Sequence, residues 1–434
     1  MKKFYIMLAA LGVTASMAAQ QLPNAGFDTD WVDCYPWSSN AANGNTDGPF
    51  SGKNKQGKTP KPWCISSVFV STNLLYKSGN RTLGTQETPG YGESGSAVNL
   101  KDVQINITVL GIKKLIPAYI SLGTSWSTST TTNATNKAGG AFGGAKFSFR
   151  PDAVSFHYKN QNTTSKSVVV AYIWKGTFTQ KDVPANIDPT GSNPTKVTMI
   201  DRDRQVLGMD LTNCQGGATS QTDDALCIAK LENQLESTNG IDSEWKLGMF
   251  DFEYADAEAL PEKINVIFSA GDYFDSERPY KDASQLILDD VKLVYYSRLS
   301  GLQFKDADIA GFDPDTFDYE LDEVMPDDDT DIKATTLGNS GVAEAAIELD
   351  HQKSLAKITV TNAHGNDADG QNSHVYTVQF LPAGSSINDV IDMTTADVRY
   401  VDLYGNAVAA DALVNGQTYI KLVNGKATKV IANN

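Results

Sequence analysis

The sequence predicts an all-β protein: a jelly-roll-like β-sandwich with one inserted helix, then a small Ig-like β-sandwich and a short C-terminal β region. Three observations carry that expectation. Short runs rich in β-branched and aromatic residues recur between turn-forming clusters of Gly, Pro, Asn and Ser. One segment alone has helical spacing. The acidity is uneven: residues 301–434 hold 22 Asp and Glu against 8 Lys and Arg, while residues 1–300 hold 30 against 28. A boundary near residue 300 follows from that break.

Taken in order, residues 1–19 read as a secretory signal peptide. Lys2 and Lys3 form a basic start, Phe4 to Val13 an apolar stretch too short to span a bilayer, and Ala18–Gln20 a small-residue cleavage region. Residues 20–297 form the expected first domain. Residues 20–62 are loop-like, and strands are expected at Ile65–Val70, Val103–Leu110, Ala145–Phe149, Ala153–Tyr158, Ser167–Trp174, Lys196–Ile200, Lys246–Tyr254, Lys263–Phe268 and Leu286–Tyr296. Thr222–Ser237 places Ala225, Ile228, Ala229, Leu231 and Leu235 near helical spacing, with Asp223 and Asp224 in the first turn, and predicts the inserted helix. Residues 123–144 are a Ser/Thr/Gly-rich loop with Trp126 at its start. Residues 298–382 form the expected small sandwich, and 383–434 a tail with a hairpin turn at Asn424-Gly425.

The bulk numbers narrow the function. A chain of 434 residues, 41% hydrophobic and 20% charged, can build packed cores. A net charge of −16 without a basic patch excludes a nucleic-acid partner, which needs clustered Lys and Arg. No later run of 18 apolar residues exists, so no transmembrane segment is expected. Cys34, Cys64, Cys214 and Cys227 are even in number in a chain expected to be exported. They can pair locally as 34–64 and 214–227, the latter bridge adding about 3 kcal/mol, or stay buried as thiols.

Three stretches carry a resemblance: LPNAGFDTDW at 22–31, GGAKFSFRPDAVSFHYKN at 143–160 and PEKINVIFSAGDYFDSERPYKDASQLILDDVKLVYY at 261–296. In order and spacing they resemble the carbohydrate metabolism domain of Bacteroidetes surface proteins, over about residues 22–297. The chain departs from that family at Ala25, an insertion, and at His157, where Tyr is usual. The resemblance implies a jelly-roll-like sandwich and a glycan-related role. The stretch GFDPDTFDYELDEV resembles cadherin-like or Ig-like modules of bacterial surface proteins. The tail from about Asp397 resembles the C-terminal sorting domains of type IX secretion, and reads equally as one more hairpin.

A secreted or surface-held carbohydrate-binding protein without catalysis is therefore expected, with a glycan and other cell-surface proteins as partners. Strand alternation puts Val154, Phe156 and Tyr158 on one face and His157 and Lys159 on the other, with Arg150 also outward. These three supply hydrogen bonds, and Trp126, Trp174 and Tyr273 stacking platforms. The resemblance also suggests a structural Ca²⁺ near Asp28 and Asp290, where first and last strands meet; both residues equally suit turn caps. PDDDTD at 326–331 lacks EF-hand spacing.

Two alternatives stay open. A glycoside hydrolase needs two carboxylates about 5–5.5 Å or 6.5–9.5 Å apart. Asp251 with Glu253, on one face of one strand, and Glu232 with Glu236, on one helix face, are the candidates. Serine hydrolase chemistry is unsupported, since no GxSxG occurs. A structural adhesin would instead offer a long exposed edge strand.

Overall fold

The structure is a computed structural model, and it describes residues 21–33, 57–68, 81–108, 111–127, 139–185, 195–209, 220–221, 224–275, 278–381, 398–423 and 426–432. The expected signal peptide, Cys34 and Cys214 lie outside the described residues.

Two antiparallel sheets face each other. The front sheet runs, strand by strand, Lys246–Asp251, Ala153–Gln161, Gln285–Val294, Ala97–Lys101 and Gly84–Glu87. The back sheet runs Glu253–Tyr254, Leu226–Gln234, Val168–Lys175, Lys263–Ser269, Tyr119–Ser121 and Cys64–Ile65, with Ala145–Lys146 also pairing Lys263–Ser269. Between them lie Val154, Phe156, Leu286 and Leu288 from the front and Val169, Ala171, Val266 and Phe268 from the back. Phe156 meets Phe268 edge to face with centroids 4.7 Å apart, a geometry aromatic quadrupoles favour.

The two sheets differ in what covers their outer faces, and the sequence explains why. Val168–Lys175 is apolar at nearly every position and is buried on both sides. Its outer residues Val168, Val170, Tyr172 and Trp174 pack under a cap made by Ala141, Phe178, Val206, Ala225 and Tyr273. Ala153–Gln161 alternates towards its end, so its outer face carries His157 and Lys159 instead.

The expected helix over 222–237 is corrected: Leu226–Gln234 is a strand paired along Val168–Lys175. A bulge explains the misleading pattern. Ile173 stands opposite Ala229 and Trp174 opposite Cys227, so Ile228 is an extra residue. Ile228 and Ala229 are consequently adjacent and both buried, which imitates helical spacing. Among the described residues of this unit, the α-helix is the single turn Asp203–Val206.

A second apolar core includes Leu302, Phe304, Ile358, Val360, Tyr376, Val378 and Phe380. One sheet holds Ala307–Asp308, Leu299–Phe304 and Ile332–Thr336. The other holds Asp318–Val324, Ser373–Leu381, Leu355–Asn362 and Ala343–Asp350, its first pair parallel. A further four-stranded sheet is built from Ala407–Val408, Val398–Val401, Thr418–Val423 and Lys426–Ile431 around Tyr400 and Tyr419. Val423 pairs with Lys426; the hairpin turn expected at Asn424-Gly425 lies outside the described residues.

The first two cores are joined by a polar seam. Asp152 accepts from Tyr296 N (2.9 Å) and Ser340 N (3.1 Å). Asn362 Nδ2 donates to Tyr296 O (3.0 Å), and Tyr295 N to Asn366 O (3.0 Å). Burial is the largest influence on Asp152 and pushes its pKa up to about 6.

Candidate functional site

The outer face of the front sheet is built by register. His157 stands opposite Leu247 on one neighbouring strand and Asp289 on the other. Between Ser155 and His157 the pairing slips, leaving Asp290 and Val291 of the Gln285–Val294 strand opposite Phe156. Asp290 takes a positive φ of 53° there, as a bulge residue can. Its carboxylate thereby comes to 3.4 Å from His157 Nδ1 and 2.8 Å from Lys292 Nζ. Burial of the ring is the main influence on His157 and holds it below the usual histidine pKa, with Asp290 opposing.

Onto this strand pair folds the loop 88–96, TPGYGESGS. Tyr91 lies flat on His157, with centroids 3.5 Å apart and planes 11° apart, and keeps 39% of its surface exposed. Trp245 meets Tyr91 nearly at right angles at 6.0 Å, and Lys159 Nζ sits 4.9 Å from the Trp245 ring. Leu247 and Met249 continue the surface, 55% and 44% exposed.

Two carboxylates hold the loop. Asp289 Oδ2 accepts from Tyr91 N at 2.7 Å, and Asp28 Oδ1 from Ser96 N at 2.8 Å. Gly90 and Gly95 allow this close approach, since a Cβ on either would strike those carboxylates; Gly95 also has φ +62°. Burial, with Asp28 and Asp290 adding to it by charge, pushes the Asp289 pKa up to about 6, against the hydrogen bonds from Tyr91 N and Asp290 N. Asp28 thus holds the loop directly, while Asp290 lies beside His157 and Asp289. Among the described residues, no group of three or more His, Cys, Asp or Glu is placed to hold a metal ion.

The structure divides the expected ligand residues. His157 and Lys159 belong to this face. Arg150 does not. The strand before it ends at Lys146, so alternation does not extend to Arg150, which turns into the seam between the two cores. Its guanidinium donates to Ser340 O (2.7 Å), Ala259 O (2.6 Å) and Asp256 O (2.8 Å) and lies 4.3 Å from the Tyr254 ring. Trp174 is fully buried under the cap of the back sheet. Tyr273 is buried there too, its hydroxyl donating to Asp203 Oδ2 at 2.6 Å. Neither is a stacking platform. Trp126 lies on Thr124–Ser127, opposite Gly140; its side chain is outside the described residues. Cys64 is buried near Ser125, and burial pushes the Cys227 thiol up to about 11. The expected partners of both cysteines lie outside the described residues.

The hydrolase candidates are rearranged. Asp251 ends a front-sheet strand and accepts from Tyr296 Oη at 2.6 Å, whereas Glu253 belongs to the back sheet. Glu232 is on a strand and Glu236 pairs with Lys246. Glu232, Asp251 and Glu253 do line one shallow cleft of about 250 Å³, with Lys230 and Met209.

Tyr91 and Trp245 escaped the sequence reading. The available signal was an aromatic residue isolated between glycines in a loop, and a Trp beside a strand whose alternate residues Leu247 and Met249 are apolar on a surface edge.

No family model matches the chain. No curated protein matches it. Among solved structures it has a distant, partial similarity to a non-crystalline cellulose-specific carbohydrate-binding module, CBM28. The identity is 10%, the match covers 60% of this chain and 97% of that one, and the TM-score is 0.16. A likeness of that size decides nothing about a ligand, and the sandwich stands on its own pairings. No helix among the described residues is long and apolar enough to cross a membrane.

Proposed function

We propose that the chain is a secreted or cell-surface carbohydrate-binding protein, without catalysis, that holds a glycan on the outer face of its front sheet. The observation that carries this reading is the half-exposed Tyr91 ring, fixed flat on His157 and flanked at right angles by Trp245. Sugar C–H faces stack on such rings, which carry large apolar area with little conformational freedom to lose. Lys159 and His157 stand beside them as hydrogen-bonding groups. The resemblance to the Bacteroidetes carbohydrate metabolism domain supports the same role. On this reading residues 298–382 are a docking module and residues 383–434 a sorting or attachment segment. A structural Ca²⁺ near Asp28 and Asp290 would need more oxygen ligands than these two carboxylates supply.

A glycan-array screen with Ca²⁺ and with chelator tests this. Selective binding that Tyr91→Ala and Trp245→Ala both abolish is expected. Binding lost on chelation assigns the ion a structural role. Retention of no glycan under either condition defeats the reading. Glycoside hydrolysis is the second reading, favoured by Glu232 in the carboxylate-lined cleft, its pKa raised by burial and by Asp272. Release of reducing ends that stops in Glu232→Gln would establish it instead.

A further inference from the structure

Beyond the aromatic pair, the register lays a straight row across the front sheet. Trp245 reaches Lys159 at one edge. Lys159 then pairs with Ile287, Ile287 with Asn99, and Asn99 with Thr85. Directly paired residues share a face, so these side chains form one line at right angles to the strands. With strands about 4.8 Å apart, it spans about 19 Å.

The far half of the row is preset for hydroxyl groups. Gln285 Nε2 donates to Asn99 Oδ1 at 2.9 Å, and Asn99 Nδ2 donates to Glu87 Oε2 at 3.1 Å. Gln285 is itself buried and serves to orient Asn99, which is partly exposed and still has bonding capacity left, since a carboxamide offers two N–H donors and two acceptor lone pairs. The face carries the carboxylates of Glu87, Asp28, Asp289 and Asp290 and the ammonium groups of Lys159, Lys292 and Lys101, the last paired with Gln285. With the two signs nearly balanced, the surface offers a polyanion no field to attract it.

Resting on the glycan-binding reading above, we infer that the ligand is an internal stretch of an extended, uncharged glycan chain lying across the strands. The Tyr91–Trp245 corner grips one sugar and the Asn99 amide, held in place by Gln285, another further along. A line that runs from one edge strand of the sheet to the other suits a chain that continues past both edges.

Calorimetric titration of the full chain tests this with cello-, xylo- and manno-oligosaccharides of two, four and six sugars, six-sugar chains blocked at both ends, and heparin. For the chain that binds, affinity is expected to rise at least about tenfold from two sugars to six. End-blocking should have no effect, and heparin should bind more weakly. Asn99→Ala should lower six-sugar affinity about tenfold, the worth of one or two hydrogen bonds, and leave two-sugar affinity unchanged. Tyr91→Ala should lower both. Equal affinity at all lengths, loss on end-blocking, or tighter heparin binding overturns the inference. If short sugars still bind and Tyr91→Ala abolishes that binding, the glycan-binding reading survives such a failure. If nothing binds, both fall.

Discussion

Tyr91 and His157 lie 198 and 132 residues before Asp289, and that one carboxylate stands at the meeting of both: it accepts from the Tyr91 amide and sits opposite His157 in the sheet. The stacked pair is therefore fixed by backbone as well as by ring contact, and each of its supports can be removed separately.

Removing the rings should cost binding and little else. Tyr91 is substantially exposed and Trp245 half-buried, so Tyr91→Ala and Trp245→Ala are expected to change unfolding free energy by about 1 kcal/mol or less. Glycan affinity should fall about tenfold or more. Denaturant melts alongside titrations check this, and a large loss of stability would recast the pair as structural.

Asp289 gives a pH prediction with a definite sign. Burial raises its folded pKa to about 6 from an ordinary 3.8. A raised folded pKa means a stability contribution that is complete below pH about 4 and lost as pH rises through about 6. Asp289→Asn keeps an acceptor for Tyr91 N and removes the charge, but turns an NH₂ group towards the Asp290 N–H that the second carboxylate oxygen accepts. Its effect on unfolding free energy should therefore be more favourable at pH 7.5 than at pH 4 by about 1–3 kcal/mol, the lost hydrogen bond costing the same at both. Asp152→Asn, which likewise exchanges one of two accepting oxygens for an amide, should show the same difference. Urea melts at the two pH values decide it, and an equal effect at both would contradict the assignment.

Arg150→Ala should separate stability from binding. It leaves the carbonyls of Ser340, Ala259 and Asp256, the first buried and the others partly so, without the guanidinium they now meet. A loss of about 3 kcal/mol is expected, with glycan affinity of the folded protein unchanged. An affinity loss at full stability would return Arg150 to the ligand face.

The buried pair of Arg278 with Asp102, 2.6 Å apart, should be asymmetric under mutation. Arg278→Ala strands Asp102, which also accepts from Ala118 N and Ser284 N, and should cost about 3–5 kcal/mol. The double change with Asp102→Ala should cost less than the sum of the singles. Additive costs in a double-mutant cycle would show the two do not act as a pair.

Much of the sandwich was legible because its strands announce themselves. Val168–Trp174 is a continuous apolar run and Lys263–Phe268 is largely apolar, and they became the doubly covered strands of the back sheet. What the sequence concealed depends on partners far along the chain. The bulge at Ile228 falls between the partners Ile173 and Trp174, and without those partners in view the spacing reads as helix. His157 and Lys159 were legible from alternation within one strand. Arg150, Trp174 and Tyr273 were misplaced because alternation says which face a residue takes, and not what later covers that face. Tyr91 and Trp245 come from loops, whose meeting over His157 is fixed by the register of strands remote in sequence.

The seam has a mechanical consequence. Ser297 and Leu299, where the chain passes from the first core to the second, are fully buried, and Gly365 sits so close to the Tyr295 ring that a Cβ there would collide with it. There is no slack hinge at this crossing for tension to unwind. A pull on the second sandwich, from whatever it is fastened to, would reach the last strand of the front sheet directly, through Tyr295 and Tyr296, and load the same strand that carries Asp289.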